Sequence, residues 1–212
     1  MTSDTSRSAP VVDAGTSPRV RVLQAVAAEV QAVGYRAATV RRIARRAQVP
    51  VDVVEAEGPR PELLVRAFEL VFAGAQSGRT LGEAVTAALP DVRDARVLLR
   101  TATAYVADAY ARSVRLWEAF VVAAGADPDV HAEYVAMCER RRADMRGLLA
   151  LLTARGVTRP FDLEHVLDVV ELLYSHESWR RLAEDRGWSR ERWVDWTTAS
   201  TLAVLGGALP RA

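Results

Sequence analysis

Lysine and asparagine are absent from the 212 residues, isoleucine occurs once, at Ile43, and cysteine once, at Cys138. A single thiol excludes an intramolecular disulfide and suits a reducing compartment, so the expected location is the cytoplasm. All 28 basic residues are therefore arginine. Lys, Asn and Ile have AT-rich codons, so this bias reads as that of a GC-rich bacterial genome rather than a chemical preference for guanidinium. No apolar run approaches the roughly 18 residues needed to span a bilayer, and no membrane partner is expected. Net charge is small as well, at +1. Bulk attraction to nucleic acid or anionic lipid is excluded by that balance, and any basic surface has to be local.

Half of the residues are apolar, enough for a sizeable core. Their spacing recurs with a helical period, with almost no alternation of the strand type, which predicts an all-α chain. Residues 1–17 are rich in Ser, Thr, Asp and Pro and read as a disordered leader without the apolar segment of a signal peptide. A first helix is predicted over 18–33, with Val22, Leu23, Val26, Ala27 and Val30 inward and Gly34 ending it. Thr39 caps a short helix over 40–47, Gln48 and Val49 make a turn, and Pro50 opens a third helix. A linking helix is expected over 62–75. Further helices follow over 81–89, 91–111, 114–124, 127–154, 163–184 and 190–205, the last capped by Ser189. Gly206 and Gly207 read as its stop.

The region 19–65 spells a helix-turn-helix, the device that lays a second helix in the major groove. Its charges conflict with that use. The segment from Pro50 to Glu57 carries Asp52, Glu55 and Glu57 and no base, whereas DNA binders ordinarily present cations to phosphates. Arg41, Arg42, Arg45 and Arg46 on the preceding helix, with Arg36 ahead of it, form a ridge able to reach phosphates, and Arg41 can reach a base edge. Asp52 or Glu55 can accept a hydrogen bond from cytosine N4. The other reading pairs the ridge internally with Asp52, Glu55 and Glu57 as a solvated surface.

The stretch from Gly34 to Val49, with an aromatic after Gly34, the Thr39-Val40 start, Ile43-Ala44, Ala47 and Val49, resembles the N-terminal domain of the TetR family of bacterial regulators. Glu62 and Leu64 continue the match. The resemblance implies a three-helix DNA-binding domain over 18–65 and a larger helical domain over 66–212 for ligand binding and dimerisation. It also implies DNA contacts from Arg36, Thr39, Arg41, Arg42, Arg45, Arg46, Val51, Asp52 and Glu55. This chain departs from the family pattern with Pro50 for the usual Ser, Glu55 for a Tyr, Gly58 for a Phe and Pro61 for a Lys. The Tyr and Lys typically bind phosphates, which Glu55 repels and Pro61 has no donor to hold.

In the larger domain, the helix over 163–184 is apolar on more than one side through Val166, Leu167, Val169, Val170, Leu172 and Leu173, and the final helix has Trp193, Trp196, Thr197, Ser200 and Val204 on one face and Val194, Thr198, Leu202 and Leu205 on another. That pattern predicts a homodimer through a four-helix bundle. Tyr105, Tyr110, Trp117, Phe120, Tyr134, Met137, Cys138, Met145 and Tyr174 are the candidate lining of an effector pocket. Each of them also suits a plain core. Together they suit a hydrophobic or aromatic small molecule better than an anion.

No enzyme is expected, and no cofactor or metal. His131 and Cys138 are about 10 Å apart along a helix, and His165 and His176 about 16 Å, too far for one ion. His176-Glu177 lacks the second His of the zinc-protease pattern, and there is no phosphate loop or nucleophile motif. Glu164, His165, His176 and Glu177 read as surface or interface residues, and Arg140-Arg141-Arg142 as a charged face partnered by Glu139 and Asp144. The function expected is a ligand-responsive repressor on a palindromic operator. The alternative is the same fold without DNA binding, serving as a sensor, an interaction protein or, last, an enzyme.

Overall fold

A computed structural model describes residues 17–74, 94–154 and 162–206 of the chain. The helix expected over 81–89, nearly all of the 1–17 leader, and Gly207 lie outside the described residues. Among those residues every element is helical, in agreement with the all-α expectation.

The N-terminal helices begin where a side chain or a proline relieves the unpaired N–H groups of the first turn. Ser17 Oγ accepts from the amide of Val20, and Pro18 starts α1 (Pro18–Val33), which buries Val22, Leu23, Val26, Ala27 and Val30. Gly34 closes it at φ 78°, a conformation that costs glycine nothing. Thr39 caps α2 (Val40–Ala47), which ends on Gln48 in the left-handed region at φ 55°. A six-residue α3 (Val51–Ala56) follows, with Val54 buried. Gly58, at φ 114°, turns the chain into α4 (Arg60–Ala73), two residues ahead of the expected linking helix at each end.

Two sequence expectations are corrected beyond α4. The helices expected over 91–111 and 114–124 are one continuous α5 (Ala95–Ala124). Arg112 and Ser113 do not break it, because Ser113 Oγ donates to the carbonyl of Ala109 one turn back, at 2.7 Å, and leaves the ladder intact. After α6 (Pro128–Ala154), the segment expected as one helix over 163–184 is broken instead. α7 (Leu163–Leu173) stops at Tyr174, and Ser175 caps a new turn, α8 (His176–Trp179), by accepting from the amide of Ser178 at 3.0 Å. A π-turn, Arg180–Glu184, completes it, and α9 (Arg190–Leu205) follows, capped by Ser189 as expected.

Apolar burial divides between two cores. One joins α1 to α4 with Leu116, Trp117 and Phe120 of α5 and Val130 and Met137 of α6. The second joins the start of α5 with α7, α9 and the end of α6. Phe72 of α4 packs against both. The break at Ser175 delivers His176 to this junction, where it is 1% exposed. The expectation of a surface or interface histidine is thus corrected.

Candidate functional site

The four-arginine ridge of α2 is two stripes with different fates. Helical spacing puts positions i and i+4 on one face, so Arg42 and Arg46 share one face and Arg41 and Arg45 another. The first pair turns to α1 and meets Glu29, a carboxylate 3% exposed on the buried face of that helix. Arg42 Nε donates to Glu29 Oε2 at 2.7 Å and Arg46 Nε to Glu29 Oε1 at 2.6 Å. Burial alone raises the Glu29 carboxyl, but the two hydrogen bonds and the charges of Arg46 and Arg42 outweigh it and hold it below 4.5. Arg41 and Arg45 are exposed, as is Arg36, and none of the three forms an ion pair among the described residues.

Internal pairing of the ridge therefore exists, with Glu29 as its partner in place of Asp52, Glu55 and Glu57. Asp52 and Glu55 are exposed on α3, and Val51 is 39% exposed. Glu57 turns the other way, toward Arg19 at 3.7 Å and Arg66 at 3.3 Å. Thr39 Oγ1 is engaged as the cap of α2, accepting from the amide of Arg42 at 3.4 Å. The face left to solvent thus carries Arg36, Arg41 and Arg45 on α2 and its approach, and Asp52 and Glu55 on α3.

The Glu29 clamp has a measurable consequence. Glu29→Gln is expected to lower stability at neutral pH by about 1–3 kcal/mol, because a charged acceptor of two Arg hydrogen bonds is lost. Arg42 and Arg46 are 40% and 35% exposed and regain water, which favours the low end of that range. A depressed carboxyl contributes stability above its unfolded value and loses it as the pH falls through the folded one. The wild-type advantage should therefore be full above 4.5 and shrink below it. Urea melts of both proteins across that interval measure it, and a constant gap would contradict the clamp.

The candidate pocket residues fall into two groups. Trp117, Phe120 and Tyr134 form one ring cluster, with centroids 5.5 Å apart for Trp117–Tyr134 and 5.8 Å for Phe120–Tyr134. Met137 is buried and Cys138 half-buried beside it in the same core. Tyr110 joins this cluster through His176, whose ring stacks on Trp117 at 4.5 Å and lies 4.2 Å from Tyr110. Tyr174, Tyr105 and Met145 belong to the second core, and Tyr174 is occupied by Thr103, 2.6 Å from its hydroxyl.

Polar groups at the junction were not legible as such from sequence. Ser113 Oγ lies 3.0 Å from His176 Nε2, and Arg141 Nη1 lies 3.4 Å from His176 Nδ1. Arg141 Nη2 donates to the Tyr110 hydroxyl at 3.2 Å, and its guanidinium lies 5.2 Å from the centroid of the Trp117 ring. Trp117 Nε1 donates to Glu177 Oε1 at 2.8 Å. Burial first, then the charge of Arg141, holds His176 down to about 2, so the imidazole is neutral at any working pH. Burial likewise pushes the Tyr110 phenol up to about 12. The expected partners of the arginine run are corrected too. Arg140 pairs with Glu69, and Arg142 with Asp168, Glu171 and Glu164.

No family model and no curated protein matches the sequence. Solved structures match its fold. One described as a TetR-family transcriptional regulator from Rhodococcus sp. is 16% identical, with 89% of this chain and 98% of that one covered and a TM-score of 0.70. A transcriptional regulator from Pseudomonas aeruginosa PAO1 is 19% identical, over 92% and 94% of the two chains, with a TM-score of 0.69. The transcriptional regulator FadR of Bacillus subtilis, in complex with stearoyl-CoA, is 12% identical, over 88% and 97%, with a TM-score of 0.62. From its first capped helix to the last, this chain has the fold of the TetR-family transcriptional regulators.

Proposed function

We propose that this protein is a homodimeric, ligand-responsive transcriptional regulator, acting as a repressor on a palindromic operator. Residues 18–65 are its reading head and 66–212 its effector-binding and dimerisation body. The observation that carries the reading is the pair Arg41 and Arg45, exposed together on α2 and free of ion pairs among the described residues. A cation held out on the helix that crosses the DNA backbone is positioned for phosphate. Effector control is supported by the aromatic junction, since Phe72 on the helix leaving the reading head packs into both cores. A small molecule that repacks the junction would bias the orientation of the reading heads by its differential affinity for two arrangements.

Fluorescence anisotropy with DNA from upstream of the gene, titrated at low and at physiological salt, tests this. Binding is expected to be sequence-selective and to weaken steeply as salt rises, with a log–log slope of about −0.9 per phosphate contacted. The exposed Asp52 and Glu55 favour a second reading, in which the fold persists without DNA binding. Absence of binding even at low salt would select it.

A further inference from the structure

Of the three consecutive arginines on α6, two are matched to carboxylates and the middle one, among the described residues, is not. Arg140 and Arg142 form ion pairs with Glu69 and with Asp168 and Glu171. Arg141 is half-buried, and its contacts are a phenol, an imidazole and an indole face. A cation taken out of water without a counter-charge is costly, and proteins ordinarily supply the counter-charge.

The hydrogen bonds around Arg141 run in one direction. Ser113 donates its proton to the Ala109 carbonyl, so its oxygen accepts from His176 Nε2–H, which leaves the lone pair on Nδ1 for Arg141. The Tyr110 hydroxyl donates to the carbonyl of Tyr174, so its oxygen likewise accepts from Arg141. Two neutral acceptors thus fix the guanidinium in place, and among the described residues its charge and its remaining N–H groups meet no other partner beyond the indole face. Glu177 has one oxygen committed to Trp117 Nε1 and makes no ion pair with Arg141. Tyr134, Cys138 and Met145, also half-buried, continue the stripe of α6 on either side of Arg141 and offer apolar contact along it.

We propose that Arg141 is the anion-recognising residue of the effector site, so that the molecule sensed is an organic acid: a carboxylate carried on an aliphatic or aromatic body. This rests on the ligand-responsive reading above and specifies its chemistry. A carboxylate takes a guanidinium through charge-assisted, bidentate hydrogen bonds, and the surrounding rings exclude water that would weaken them.

The experiment is calorimetric titration of the full chain, without DNA, by decanoate and benzoate and by the matched neutral compounds decanol and benzyl alcohol. At least one acid is expected to bind the wild type more tightly than its alcohol, and the acid's affinity, unlike the alcohol's, should fall as salt rises. Arg141→Gln should weaken the acid about tenfold to a hundredfold and leave the alcohol unchanged. Arg141→Lys, which keeps charge but loses the planar fork, should fall between the two. Equal affinity for acid and alcohol, salt-independent acid binding, or no binding of either acid at millimolar concentration would each overturn the proposal. So would acid affinity indifferent to Arg141→Gln. The salt comparison needs only the wild type, so it stands if a variant does not fold. A protein that binds its operator but ignores both acids refutes this inference alone, whereas one that binds the acid but no DNA refutes only the regulator reading.

Discussion

Arg41→Ala combined with Arg45→Ala is expected to lower operator affinity about a hundredfold at physiological salt, taking each phosphate contact as a charge-assisted hydrogen bond of about 1.4 kcal/mol or more. The same double variant should flatten the slope of log affinity against log salt by about 2, because two fewer counterions are released. Thermal stability should hardly change, since both side chains are exposed and unpaired among the described residues. Arg42→Ala and Arg46→Ala should behave in the opposite way. Each frees one oxygen of the buried Glu29 and so reduces stability first, with loss of DNA binding following from a displaced α2. Glu55→Gln removes a charge of the wrong sign and should tighten binding about two- to fivefold, the equivalent of about 0.5–1 kcal/mol of screened repulsion. The anisotropy titration reads all of these. An unchanged salt slope in the Arg41/Arg45 double variant would show that α2 does not face the DNA backbone.

That split of the arginines marks a boundary of what sequence conveys. Periodicity says which residues share a helix face, and here it located α1, α2, α6 and α9 to within a residue or so, helped by caps at Thr39 and Ser189. It does not say which face meets a neighbouring helix. Glu29 carried the missing signal, as a lone acid among Val22, Val26 and Val30 on an apolar stripe, which demands a basic partner. The same holds for Arg141. Tyr134, Met137, Met145, Leu148 and Leu152 mark a buried stripe of α6, and position 141 is the step missing between Met137 and Met145. Read as one of three surface arginines, it disappears into a charge run. Read at its helical position, it is a cation on an apolar face. The break at Ser175 was harder to see, because Ser is tolerated inside helices and caps them equally well, so only packing decides between the two. With the break unseen, His176 had no reason to be placed in the core.

Replacing Leu172 and Trp196 with glutamate should convert a dimer into a monomer. Leu172 on α7 is 70% exposed and Trp196 on α9 is 39% exposed, although both helices bury their opposite faces in the chain's own core. Ala199, Ser200 and Ala203 continue the outer face of α9 with small side chains that let a partner helix approach closely. Trp188 packs edge-on against Trp196 at 5.6 Å, with Arg192 lying over its ring at 4.1 Å, so the indole is braced before any partner arrives. In a two-fold interface each substitution counts twice, and burial of one Leu is worth about 1.5–3 kcal/mol, so Leu172→Glu alone should weaken association at least about a hundredfold. Adding Trp196→Glu places a second charge on the same exposed face, which a buried interface would have to desolvate. Light scattering at micromolar protein should then give the mass of one chain for the double variant and of two for the wild type, with the helical circular dichroism of both alike. Operator affinity should fall with the dimer, because a lone reading head holds one half-site and forgoes the second. A wild type that is monomeric at that concentration would refute the interface, as would a double variant that keeps the mass of two chains. A monomeric variant that still grips a full palindrome as tightly as the wild type would instead separate dimerisation from DNA binding.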